Sequence, residues 1–195
     1  MKNLVNEVIF NLKRSKNLLL LGGIIFVLGL VLGFILNLNE DIFIIHNDNM
    51  YLYYSQVFCS EKIGISLLIK RCLSVLLVLV LVALFSLNKY TIYLNFIVLF
   101  YRAFTLGIAG KIFICQIAIT GAIMFIFLIL VQALFMSISI LLFIILIYNY
   151  MKKCGDMQIN FILKTYLISS IVAIIGCILE FLLIIMLFRP LNLYF

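Results

Sequence analysis

The chain has little of what a soluble protein needs. Of its 195 residues only 11% are charged, one is proline, one is histidine and none is tryptophan, against 67% hydrophobic residues. So few charges cannot cover a water-facing shell, and the mean hydropathy of +1.35 places the chain in a bilayer. With a single histidine and no HExxH, GxSxG, Walker or GxGxxG pattern, the usual signatures of metal, serine-hydrolase, nucleotide and dinucleotide chemistry are missing. The five cysteines, Cys59, Cys72, Cys115, Cys154 and Cys177, are odd in number and scattered, so they spell neither a disulfide framework nor a CxxC metal site. His46, near Asp41 and Asp48, has ligand-type neighbours, but in a polar loop the plainer reading is a solvated side chain. The sequence predicts no cofactor, no bound metal and no enzyme.

What is present is a series of long apolar runs. At about 20 residues per helical span, this length allows five or six membrane crossings in one integral membrane domain over 1–195. The expected fold is an all-α polytopic bundle. Residues 1–17 are basic with apolar residues at helical spacing and read as a cytoplasmic amphipathic lead-in. The first span is expected over 18–38, too long for a signal-peptide core. Residues 39–63 are polar and acidic and carry Tyr51, Tyr53, Tyr54 and Phe58, as befits an outer interfacial segment. The second span is expected over 72–87, with Lys70 and Arg71 snorkelling to the interface, and the third over 91–110, ended by Lys111.

The stretch 119–150 exceeds one crossing, since about 30 helical residues reach ~45 Å against a hydrocarbon core of ~30 Å, and its natural break is near Gln132. A basic cytoplasmic loop over 151–164 and a last span over 165–188 complete the series. Counting 119–150 once gives five spans and puts Lys2, Lys13, Arg14, Lys16, Lys89, Lys152, Lys153 and Lys164 inside and the acidic loop outside. The alternatives are six spans, or a re-entrant break at Gln132. The net charge of +7 then serves topology and anionic head groups rather than nucleic acid. This topology describes a multi-pass protein of the cytoplasmic membrane with its N-terminus inside and its C-terminus outside.

Small residues mark packing faces. Gly29 and Gly33 form a GxxxG pair, Ala103 and Gly107 repeat the spacing, and so do Ser169 and Ala173 near the end, with Gly176 three residues further on. Two ionisable groups lie deep in spans, Arg102 and Glu180. Each costs at least ~2.5 kcal/mol at a helix centre, so neither should face lipid. Their depths on two parallel spans match to about 6 Å at 1.5 Å per residue, which suggests an ion pair between the third and last helices. A polar pathway is the alternative, drawing on Gln116, Gln132, Thr105, Ser137 and Ser139. An intramembrane hydrolase would need a nucleophile and base within reach, and no histidine lies in a span.

The order of these features resembles the stage II sporulation protein M family of endospore-forming bacteria. The likeness runs over nearly the whole chain: a basic lead-in before a Gly-rich span, the Tyr-rich "YLYYSQVF", then "FYRAFTLGIAG" with Arg102, Ala103 and Gly107, and "ILEFLL" with Glu180. It departs from the family at "LVQALF", where Val131 and Ala133 flank Gln132 without the family's prolines. The resemblance implies a non-enzymatic membrane scaffold that gathers peptidoglycan-degrading partners, stage II sporulation proteins D and P, for forespore engulfment. A transporter or permease-like subunit with a polar path near Arg102 and Glu180 is the rival reading. Oligomeric state leaves no mark in the sequence.

Overall fold

A computed structural model describes residues 15–36, 65–88, 90–124, 126, 130–154, 158–183 and 186. The lead-in up to residue 14, the outer segment over 39–63 with its tyrosines and His46, and the end with Arg189 and Pro190 lie outside the described residues.

Five helices follow in order: α1 (Lys16–Ile35), α2 (Ile65–Phe85), α3 (Leu94–Met124), α4 (Val131–Cys154) and α5 (Ile159–Leu183), with a 3₁₀ turn at Thr91–Tyr93 leading into α3. Each contains a segment long and apolar enough to cross a membrane. The described residues thus form an all-α bundle with five candidate spans and no strand. Leucine, isoleucine and valine dominate the helices, and with no water in the hydrocarbon the helix is the form that satisfies backbone groups within one segment.

The boundaries differ from the expected ones in two places, each for a physical reason. Helix α3 does not stop at Lys111 but runs on to Met124. The lysine is accommodated because its Nζ donates to the Leu36 carbonyl at the C-terminus of α1, 3.1 Å away, satisfying an orphan acceptor there. The 119–150 stretch is accordingly divided between α3, which ends at Met124, and α4, which begins at Val131 with Gln132 in its first turn. The basic loop expected over 151–164 is also shorter: α4 ends at Cys154 and α5 begins at Ile159. Lys152 and Lys153 occupy the last turn of α4, where a cation meets the negative end of the helix dipole.

Two helix units build the bundle. In the first, α1 and α3 run parallel in close contact. A Cβ added at Gly29 would lie 2.7 Å from the Phe100 carbonyl oxygen and 2.9 Å from Ala103 Cβ. One at Gly33 would strike the Phe104 carbonyl, and one at Gly107 the Leu30 carbonyl. Backbone meets backbone at these points, and only glycine permits it. In the second unit α5 packs along α4 and α2. Gly176 admits the Phe135 side chain there, a Cβ at that position falling 2.5 Å from Phe135 Cβ, and Ser139 Oγ donates to the Ser169 carbonyl at 2.6 Å.

The ends of the bundle are distinct. At one end Ser15 Oγ donates to Asn149 Oδ1 at 2.9 Å, tying the start of α1 to the last turns of α4, and Tyr150 stacks on Phe161 with ring centroids 3.9 Å apart. Asn95, fully buried, donates to Ser86 Oγ at 2.7 Å across the α2–α3 turn. In this half a solid apolar core of Leu79, Val82, Leu99, Ile140, Phe143, Ile144 and Ile147 closes the seam between the two units. The other half holds Arg71, Arg102 and Glu180.

Candidate intramembrane polar site

Glu180 is set one turn from the end of α5 and is buried to 3% exposure. Its partner is Arg71, in the second turn of α2, with Nη2 3.5 Å from Oε1. The pairing expected with Arg102 is thereby corrected. Helix α3 packs on α1 and more lightly on α2 and α4, but not along α5. Matching depth does not make two helices neighbours. Because α2 and α5 run antiparallel, the second turn of one meets the last turns of the other, and the guanidinium read as snorkelling turns inward instead.

Arg102 lies midway along the apolar part of α3 and faces a cavity of about 180 Å³ at the seam between the two helix units. Arg71 and Ser74 from α2, Thr105 and Ala109 from α3, and Gln132 and Ser137 from α4 share its wall. Phe26 of α1 and Met136 of α4 also line it. Arg71 and Arg102 thus put two guanidiniums on the wall of one cavity.

The hydroxyls lining the cavity are spent on their own helices. Ser74 donates to the Arg71 carbonyl at 3.1 Å, Thr105 to the Arg102 carbonyl at 2.9 Å and Ser137 to the Ala133 carbonyl at 2.6 Å. This i−3 or i−4 back-bonding is how serine and threonine are carried inside apolar helices. Gln132 Nε2 lies 3.6 Å from Cys177 Sγ, linking α4 to α5, and Cys72, next to Arg71 on α2, is a neighbour of the same sulfur. Arginine, cysteine, glutamine and glutamate from three helices therefore form one patch beside the cavity.

Of the residues singled out from sequence, Gln132 and Arg102 meet at the cavity, and Gly29, Gly33, Ala103 and Gly107 meet at the α1–α3 contact. Gly176 serves the α4–α5 contact instead. Gln116 falls in the later part of α3, and its side chain lies outside the described residues. Arg71, Ser74, Cys72 and Cys177 are the participants that sequence reasoning passed over. The available signal was the helical spacing of Arg71 and Ser74, which puts both on one face of α2. Among the described residues no group of three or more His, Cys, Asp or Glu converges as a metal site.

The positive, donor-rich cavity can bind and orient a polar group. Comparison of the chain with known protein families, with curated proteins and with solved structures gave no match.

Proposed function

We propose that this chain is a non-catalytic integral membrane scaffold, the role implied by its resemblance to the stage II sporulation protein M family. In this reading it sits in the cytoplasmic membrane, N-terminus inside, and gathers cell-wall hydrolases, stage II sporulation proteins D and P, on the outer side during engulfment. The observation that supports the reading is the solid apolar half of the bundle. Its side chains, from Leu79 to Ile147, are at most 2% exposed and fill the seam between the two helix units among the described residues. A filled seam of this kind suits a role in assembly.

A transporter-like subunit is the second reading, and the specific observation in its favour is the cavity that reaches Arg102 and Arg71. Transport would require the two helix units to move apart at the apolar half, so that the cavity opens alternately to each side. Crosslinking and affinity capture from native membranes during sporulation tests the proposal. Recovery of peptidoglycan hydrolases is the expected result. Consistent failure to recover them, together with solute flux in proteoliposomes, would overturn it in favour of transport.

A further inference from the structure

Arg71 and Arg102 line the same cavity, and the carboxylate paired with Arg71, Glu180, lies outside its wall. Among the described residues Arg102 has no carboxylate within ion-pair distance. Neither aspartate nor glutamate lines the cavity. An uncompensated guanidinium at such a depth is costly and is rarely kept without a partner or a water-filled space. The lining hydroxyls already donate to backbone carbonyls, so the Arg102 guanidinium and the second N–H of Gln132 are the donors that face the cavity, with the charge of Arg71 beside them. A wall that is positive and rich in N–H donors complements an oxyanion, which arginine grips with paired hydrogen bonds. The volume of about 180 Å³ corresponds to roughly a dozen waters at ~15 Å³ each. That is room for one tetrahedral anion and part of its hydration, and it falls below the ~300–1,000 Å³ of drug-sized ligand sites.

We propose that the cavity between Arg71 and Arg102 is a phosphate-binding site, with Arg102 as its principal charge and Gln132 as a supporting donor. The phosphate could be supplied by a phospholipid head group entering along the seam beside α1 or by the free ion. Either source satisfies the same chemistry, and the site does not depend on whether the chain assembles partners or moves solutes.

The test uses the full chain in two settings: delipidated in neutral detergent with inorganic phosphate, and in nanodiscs of phosphatidylglycerol or of a phosphate-free galactosyl diacylglycerol. Arg102 is modified with phenylglyoxal and its modification rate is read by peptide mass spectrometry. One of the two phosphate sources should slow modification at least tenfold and saturably, and the effective source identifies the ligand. In parallel, Arg102→Gln should weaken binding of that source at least tenfold, while Lys164→Gln, exposed near the opposite end, should leave it unchanged. The protection experiment needs no variant, so it stands even if Arg102→Gln fails to fold. Equal modification rates in all settings would overturn the proposal, as would undiminished binding by folded Arg102→Gln.

Discussion

Removing one member of the Arg71–Glu180 pair should have an asymmetric cost that can be worked from its geometry. Glu180 has a side chain 4% exposed, whereas that of Arg71 is 28% exposed. Arg71→Gln leaves the carboxylate buried without its cation, at a cost of about 3 kcal/mol, the low end for a broken buried pair. Glu180→Gln leaves a guanidinium that is less buried than the carboxylate was and borders the cavity, so about 1–2 kcal/mol is expected. At 3.5 Å the contact is longer than the 2.7–2.9 Å of a tight charge-assisted bond, so the double variant should fall short of the sum by only about 1–2 kcal/mol. The assay is a double-mutant cycle by SDS-titrated unfolding in mixed micelles, followed by circular dichroism. The matching cycle with Arg102→Gln should be additive with Glu180→Gln to within ~0.5 kcal/mol. Without a bound anion, Arg102→Gln alone should be neutral or stabilising, because it removes a like charge facing Arg71. Additivity for Arg71 with Glu180, or strong coupling of Arg102 with Glu180, would refute this assignment.

The α1–α3 contact makes a second prediction: Gly33→Leu and Gly107→Leu should each cost about 2–3 kcal/mol in the same unfolding assay, because the new side chain meets backbone carbonyls. Gly23→Leu, with open space at its Cβ, should be tolerated. Mild copper-catalysed oxidation of a chain lacking Cys59, Cys115 and Cys154 should join Cys72 to Cys177, two thiols giving up two protons and two electrons to the oxidant. The test is a mass loss of about 2 Da in one chain, and its absence would contradict the α2–α5 register. Finally, single cysteines introduced as Lys16→Cys and Lys152→Cys should both resist a membrane-impermeant maleimide in intact cells while Leu36→Cys is labelled. Labelling of Lys152→Cys alone would break the five-span topology.

Helix identity and span number were legible because the bilayer forces length and composition on each crossing, and the small-residue spacing on α1 and α3 was visible for the same reason. Partner choice was not. Depth along a span can be counted from the sequence, but the angular position of a helix within a bundle is set by packing among all its neighbours. Arg102 was placed at the right depth and paired with the wrong carboxylate, while Arg71 looked like an interfacial residue because it lies near a span end. Lys111 misled in a similar way. A charge in an apolar run normally marks its end, yet here the ammonium is taken up by the Leu36 carbonyl of a neighbouring helix. The cavity left no mark in the sequence at all, since it is a space between helices and not a pattern along one.

The two helix units are interleaved along the chain, and this constrains the order in which the protein can be made. Helix α1 pairs with α3, but α2 emerges between them and belongs with α4 and α5. As the chain enters the membrane helix by helix, the glycine face of α1 must wait in lipid until α3 arrives. The carboxylate partner of Arg71 arrives only with the last helix. The second unit cannot be completed until the last helix is made, and no single cut separates the two. A ribosome stalled before α5 would leave in the membrane a chain whose first pair is formed and whose α2 arginine is still without its carboxylate. Such a chain is a natural target for membrane quality control.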